Sequence, residues 1–209
     1  MRPRWIALLV AGAALAFAAV VLAATRAHHE AKDLRATASG SASGPASHFN
    51  GALLPAGLRV PNFNLKDQDG REVSSRTLLG RPAVITFLYS HCHDTCPITA
   101  QQVKGALDDL RGPVTAIAIS VDPAHDTPGS ARRFLAKVGM TGRMHFLLGT
   151  RQQLAPLWRA FAIRPQLPHE EHQARLVLAD ARGMQRVGYP AQQATPERLA
   201  HDLRALGAS

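Results

Sequence analysis

The stretch VITFLYSHCHDTCPIT, residues 84–99, contains both cysteines of this 209-residue chain and indicates how the fold is built around them. Its first five residues, Val84 to Leu88, are apolar or β-branched, as expected for a strand buried on both faces of a sheet. Pro97 can occupy the first turn of a helix, and apolar residues continue at helical spacing until Gly112 and Pro113. The stretch therefore predicts a buried strand, a loop with the cysteines, and a helix.

Strands and helices alternate along the rest of the chain. Further strands are predicted at residues 114–121 and 145–148, further helices at 127–139, 150–161 and 195–206, and a hairpin at 175–180 and 185–188. Thr127 is the expected N-cap of the second helix, with Pro128 at its first position. This order predicts an α/β thioredoxin-like fold, with a central mixed β-sheet flanked by helices. No glycine-rich phosphate loop follows any strand, so a nucleotide-binding fold is not supported.

The N-terminus has the pattern of an export segment. Arg2 and Arg4 precede an uncharged run from Trp5 to Ala24, which as a helix would be about 30 Å long, roughly one bilayer core. Residues 1–27 are therefore predicted to be a membrane anchor or signal sequence. The run exceeds the ~7–15 apolar residues of an ordinary signal-peptide core, which favours an uncleaved N-terminal transmembrane helix. With Arg2 and Arg4 in the cytoplasm, the positive-inside rule predicts a single span with the C-terminal domain on the other side. The lack of a Ser- and Arg-rich transit segment ahead of the apolar run favours a bacterial inner-membrane protein, with that domain in the periplasm.

The composition after this segment predicts a tether and one domain. Residues 28–57 include TASGSASGPAS and have few bulky apolar side chains, so they are predicted to be a flexible linker. Residues 58–209 are long enough for one domain with its own core. The net charge of +9 comes from scattered arginines, without the alternation of aromatic and basic residues that a nucleic-acid interface requires, so no nucleic-acid partner is expected.

Cys92 and Cys96 can serve in three ways: as a stapling disulfide, as a redox couple, or as two soft ligands for a metal ion. They lie between a strand and a helix, where unpaired backbone N–H groups stabilise a thiolate. A crosslink over so few residues removes little entropy from the unfolded chain, which disfavours the staple. The spacing leaves the redox and metal interpretations open.

Three blocks of sequence resemble one known family. SHCHDTCP is similar to the T-H-C-P-D-x-C-P signature of the Sco/SenC family, VDPAHDTP at 121–128 is similar to its V-D-P-x-x-D-T-P segment, and EHQARLVLADARG at 171–183 is similar to its hairpin. The blocks occur in the family's order, and the resemblance extends from about Leu58 to Leu206. It implies a membrane-tethered, thioredoxin-like copper chaperone that helps assemble the copper centre of cytochrome c oxidase.

The resemblance also implies the ligands and the partners. Copper, as Cu(I) or Cu(II), is expected on Cys92, Cys96 and His172, a donor set in which two thiolates select Cu(I) and an imidazole suits both oxidation states. The implied partners are the copper-bearing subunit of the oxidase and another copper chaperone. Asp122 and Asp126 match acidic positions of the family, where site support and ordinary loop hydrogen bonding are both open.

The chain departs from the family at several positions. His93 replaces the usual proline and Glu171 a common aspartate. His93 is an extra ligand, a cation that lowers the thiolate pKa when it is protonated, or a solvated loop residue. His91 is expected to pack rather than to ligate. His169 could compete with His172, but only His172 keeps the family's spacing into the strand that follows.

Three functions share these thiols. The leading hypothesis is a copper chaperone, which needs no catalytic turnover and makes an enzymatic role uncertain. The alternative is a thiol-disulfide reductase that keeps the copper-site cysteines of a partner reduced. The third is a peroxide-scavenging thiol enzyme, against which the absence of a separate peroxidatic cysteine motif counts.

Overall fold

Eight strands and four α-helices are formed by the residues that the computed structural model describes, 48–166 and 174–208. The strands are β1 (Ala52–Leu53), β2 (Asn64–Lys66), β3 (Glu72–Ser74), β4 (Ala83–Leu88), β5 (Thr115–Ser120), β6 (His145–Leu147), β7 (Arg175–Ala179) and β8 (Gln185–Pro190). The helices are α1 (Thr95–Asp109), α2 (Pro128–Lys137), α3 (Arg151–Ala160) and α4 (Pro196–Ala205). Short 3₁₀ turns lie at Ser75–Leu78 and Ala191–Gln193.

Six strands form one mixed sheet in the order β1-β8-β7-β4-β5-β6. The pairs β4–β5 and β5–β6 are parallel, whereas β7 runs antiparallel to both β4 and β8. Strands β2 and β3 form a separate antiparallel hairpin, which the sequence did not indicate. The predicted thioredoxin-like fold with a central mixed sheet is thereby confirmed.

The central strand β4 is buried along its whole length because both faces of the sheet are covered. Val84 and Leu88 point into a core shared with α1, α2 and α4. Ile85 and Phe87, on the alternate positions, point into a second core shared with α3. The uninterrupted apolar run in the sequence is thus explained by two separate cores, one on each face.

The helix starts follow the predicted capping residues. The Thr127 hydroxyl accepts a hydrogen bond from the backbone N–H of Ser130, and the Ser130 side chain bonds back to the Thr127 N–H, which completes a capping box. Thr150 forms the same arrangement with Gln153 at the start of α3. These reciprocal bonds satisfy N–H groups that the first turn of a helix cannot pair internally.

The folded part of the chain begins before Leu58, so the predicted linker, residues 28–57, extends too far toward the C-terminus. Strand β1 pairs with β8, and the buried carboxylate of Asp202 accepts the N–H groups of Asn50 at 2.8 Å and Gly51 at 2.9 Å. A side chain at Gly51 would overlap Val187 and Tyr189, so only glycine allows this close approach. A partner more than 150 residues away orders a segment whose own composition is that of a linker.

Within the residues described, no helix is both long and apolar enough to cross a membrane. The predicted anchor at residues 1–27 and the linker up to residue 47 lie outside these residues, as do His169, Glu171 and His172. The predictions made for those positions therefore stay predictions.

Candidate metal centre

The two cysteines lie at the carboxyl end of the central strand. After β4 ends at Leu88, the chain makes a turn in which the Cys92 N–H donates to the carbonyl oxygen of Tyr89 at 3.3 Å. Cys96 follows in the first turn of α1. Cys92 is 7% exposed and Cys96 is fully buried, so only Cys92 reaches the surface.

The two thiols are free and interact with each other. The Cys96 N–H donates to the Cys92 sulfur at 3.3 Å, as expected for a thiolate near the start of a helix. The side chain of Cys96 also hydrogen-bonds Cys92 and, with N–H groups of Cys96 and Asp94 and the side chain of Tyr89, lowers the Cys92 pKa to about 5 despite burial. The same hydrogen bond and burial raise the pKa of Cys96. The contacts within the pair thus favour the thiolate form of Cys92 and the thiol form of Cys96.

This asymmetry predicts the pH dependence of alkylation. Because only the thiolate is nucleophilic, the rate of Cys92 alkylation by iodoacetamide should fall only as the pH drops through about 5 and stay nearly flat from pH 6 to 8. Cys96→Ala, which removes the side-chain donor, should raise the midpoint, whereas Cys96→Ser retains an O–H donor and should shift it less. A wild-type midpoint near the ordinary thiol value would contradict the geometry.

A buried aspartate holds the start of the cysteine loop in place. Asp126 accepts hydrogen bonds from the Ser90 N–H at 2.7 Å and the Ser90 hydroxyl at 2.6 Å, and its other oxygen accepts from the Ser120 hydroxyl at 2.5 Å. Burial raises the pKa of Asp126, although these hydrogen bonds oppose the shift. The carboxyl group thus ties the loop after β4 to the end of β5.

Asp122 has a more local role than Asp126. Its carboxylate is 2.9 Å from Nδ1 of the exposed His125. Of the two interpretations left open by the sequence, Asp126 therefore supports the cysteine loop, whereas Asp122 makes a hydrogen bond within its own loop. Sequence reasoning missed Ser90, Ser120 and Tyr89, because nothing in their spacing links them to one another.

The histidines beside the cysteines face solvent. His91 and His93 are both exposed, and Nδ1 of His91 lies 3.2 Å from the Ser90 hydroxyl. Packing of His91, the expected role, is not observed, and the exposure of His93 fits a solvated loop residue. In the part of the chain that the structure describes, no group of three or more His, Cys, Asp or Glu residues could hold a metal ion.

The site therefore brings together two of the three predicted ligands. Two adjacent sulfur donors, of which Cys92 has the lowered pKa, are a soft donor set that suits Cu(I). The third predicted ligand, His172, lies outside the described residues.

Both flanks of segment 167–173 lie at the sheet edge that carries the cysteines. The N–H of Gln166 donates to the carbonyl oxygen of Val121 at 2.9 Å, directly after β5. On the other side, Ala174 is buried in the same core as Cys92 and Cys96. This placement follows from β7, which begins at Arg175 and runs antiparallel to β4.

Comparison with known proteins identifies related sequences and structures. The family profile described as SCO1/SenC matches residues 54–208. The protein SenC of Rhodobacter capsulatus is 36% identical over 102 residues, which are 47% of this chain and 45% of that protein. The matched segments span about half the length of the first curated relatives, 60% in one case and 45% for SenC.

Solved structures share the fold. The structure of Bradyrhizobium japonicum ScoI with copper bound has a TM-score of 0.57 and 28% identity, covering 71% of this chain and 99% of that one. BsSco, described as a member of the Sco family of cytochrome c oxidase assembly proteins with a disulfide switch, has a TM-score of 0.64 and covers 74% of this chain and 96% of its own. At 24% identity, the likeness to BsSco concerns the fold alone.

Proposed function

Because the chain belongs to the SCO1/SenC family, we propose that it is a copper chaperone that binds one copper ion through Cys92, Cys96 and His172 and delivers it to the copper-bearing subunit of cytochrome c oxidase. The observation that carries the proposal is the pair of free, adjacent thiols, in which the Cys96 N–H donates to the Cys92 sulfur at 3.3 Å. The copper bound to the related ScoI of Bradyrhizobium japonicum supports it.

The family's spacing supports His172 as the third ligand, since His172 keeps its position before the strand that begins at Arg175. Ala174, the first described residue after the segment that holds His172, belongs to the same buried core as both cysteines. His169 is three residues beyond Gln166 and is not excluded by reach, so the two histidines need a direct comparison.

The two thiols have different parts in taking up the ion. Cys92 is already a thiolate and is the more accessible sulfur, so it is the first contact for an incoming Cu(I) ion. Cys96 must lose its proton before it can ligate, so capture of Cu(I) at neutral pH should release about one proton. Delivery is the reverse process, in which ligands of the recipient replace those of this chain one at a time.

The proposed location follows from the N-terminal sequence. Residues 1–27 anchor the chain in the bacterial inner membrane, and the following linker holds the folded domain on the periplasmic side. This tether would restrict the domain to the membrane surface, where an oxidase subunit presents its copper site. A further copper chaperone outside the cytoplasm would supply the ion.

The asymmetry of the cysteine pair favours a second function, thiol-disulfide reduction. The Cys92 thiolate would attack a partner disulfide, form a mixed disulfide and release one partner thiolate. Cys96, once deprotonated, would then attack the Cys92 sulfur, leaving an oxidised Cys92–Cys96 pair and a fully reduced partner. Two electrons pass from this chain to the partner, whose two sulfurs take up the protons.

A rescue experiment separates the two functions. Cells that lack this chain should lose cytochrome c oxidase activity, which the wild-type chain restores and Cys92→Ser does not; Arg111→Gln, on a distant exposed loop, is the control. Restoration by excess copper supports delivery, and restoration by a thiol reductant alone supports reduction. Unchanged oxidase activity without the chain would reject both functions.

A further inference from the structure

A cleft of about 190 Å³ lies at the end of the sheet opposite to the cysteines. It opens beside the starts of β4 and β5, whereas the cysteines follow the end of β4. Strands of six residues are roughly 17–20 Å long, so this cleft is a separate site. The lining side chains used below are Arg71, Arg81, Thr77, Arg143 and His145.

The polar lining of the cleft is basic. Three arginines and one histidine line it, and among the described residues that do so there is no aspartate or glutamate. Arg81 is exposed, and no ion pair is recorded for it with any described residue. Arg81 therefore brings to the cleft a positive charge that no described carboxylate neutralises.

The nearby carboxylates are already engaged. Asp108 lies 2.6 Å from Arg143 and also 2.6 Å from Lys104, so one carboxylate is shared by two cations. Asp69 is 3.4 Å from Arg71 in an exposed pair, which contributes little. Because Arg143 and Lys104 share one carboxylate and Arg81 has no such partner among the described residues, the surroundings of the cleft keep a net positive charge.

One wall of the cleft is held by a buried carboxylate. Asp67, whose side chain is fully buried, accepts the Nδ1–H of His145 at 2.9 Å and the N–H groups of Asp69 at 2.9 Å and Arg71 at 3.0 Å. His145 and the turn before Arg71 are therefore fixed relative to each other. A ligand would meet a largely preorganised wall, which reduces the entropy cost of binding.

We propose that this cleft binds a phosphate group. Guanidinium groups pair with phosphate oxygens through two parallel hydrogen bonds, and Thr77 adds a hydroxyl at the rim. A phosphate dianion matches a cleft lined by three arginines better than a singly charged carboxylate does. The volume admits inorganic phosphate or the phosphate of a lipid headgroup, and the same positive charge disfavours copper ions.

Calorimetric titration of inorganic phosphate into the full, metal-free chain tests the proposal. Wild type should bind one phosphate saturably, and Arg81→Gln should weaken this binding roughly tenfold, as expected for loss of a charge-assisted hydrogen bond. Arg111→Gln removes the same charge from an exposed loop that does not line the cleft and should change the affinity less than about twofold.

A short-chain phosphatidylglycerol, kept below its micelle-forming concentration, identifies the source of the phosphate. Binding of both compounds with the same dependence on Arg81 assigns the cleft to a lipid headgroup, and binding of inorganic phosphate alone assigns it to free phosphate. The proposal is overturned if neither compound binds saturably, or if Arg81→Gln and Arg111→Gln weaken binding equally. Copper binding is measured separately, so either proposal can fail without the other.

Discussion

Replacing Cys96 by serine is expected to lower the Cu(I) affinity of the chain by more than about a hundredfold. Mutation of a residue that only hydrogen-bonds a metal ligand already lowers metal affinity by about 10–100-fold, and loss of a ligand itself should lower it further. The substitution removes one of the two soft donors, and a serine oxygen is a poor ligand for Cu(I). Cys92→Ser should have an effect of similar size, since the two sulfurs act together. Competition with a Cu(I) chelator of known affinity measures both effects.

His93→Ala is the matched comparison for these cysteine variants. His93 lies between the cysteines in sequence but is exposed, so its removal should leave the Cu(I) affinity within a few-fold of wild type. Thermal unfolding of each metal-free variant shows whether the fold is retained. Equal losses for His93→Ala and Cys96→Ser would assign His93 a ligand role and reject the two-thiolate account.

Replacing Asp202 by alanine is expected to lower the free energy of unfolding by roughly 3–5 kcal/mol. The buried carboxylate accepts hydrogen bonds from the Tyr189 hydroxyl and from the N–H groups of Asn50 and Gly51. Its removal leaves the N–H groups of Asn50 and Gly51 without this acceptor and releases the N-terminal segment before β1, and the Tyr189 hydroxyl keeps its longer bond to the Arg198 carbonyl oxygen. Chemical denaturation of the full chain measures the loss.

Asp109→Ala provides the matched control for Asp202→Ala. Asp109 forms an ion pair of 2.6 Å with Arg204, also on α4, but both side chains are about half exposed. Loss of this ion pair should lower the free energy of unfolding by less than about 1 kcal/mol. If the two variants were equally stable, the Asp202 carboxylate would not anchor the N-terminal segment.

The stability that Asp202 provides should also depend on pH. Burial raises the pKa of Asp202, but the hydrogen bonds from Tyr189, Asn50, His201 and Gly51 outweigh it, so the folded pKa is below the ordinary 3.8. The unfolded chain therefore takes up this proton first, and the contribution is complete above pH 3.8 and is lost as the pH falls through the lower folded value. The difference in the free energy of unfolding between wild type and Asp202→Ala should therefore become smaller as the pH falls below 3.8.

Local patterns in the sequence were sufficient to predict most of the fold. The apolar run at Val84 to Leu88 marked the central strand, and Thr127 with Pro128 marked the start of α2. These signals work because strand burial and helix capping depend on residues close together in the chain. The hairpin of β2 and β3 has short strands with weak alternation, and it was missed.

Contacts between distant residues could not be predicted in this way. Asn50 and Asp202 are 152 positions apart, and Ser90 and Asp126 are 36 apart, so no spacing in the sequence connects them. Because of the first contact, the folded part of the chain starts before Leu58, the residue at which the sequence predicted it to start. The second explains how the cysteine loop is held, a role that an acidic position in a loop does not reveal alone.

The candidate site was predicted through the resemblance more than through spacing. Cys92 and Cys96 alone were consistent with a redox pair or a metal site, and the structure adds their unequal pKa values and their position at the sheet edge. The assignment of His172 depends on the family's spacing into the strand that follows.

The most direct test of the three-ligand copper site is Cu(II) binding by the reduced full chain, followed through the thiolate-to-Cu(II) charge-transfer band. This band reports only copper bound to sulfur, so histidines elsewhere in the chain do not contribute to it. Wild type and His169→Ala should show the band at one copper per chain, whereas His172→Ala should lose it and retain Cu(I) binding through the two thiolates. An unchanged band and unchanged affinities for Cu(I) and Cu(II) in His172→Ala would contradict the proposed site.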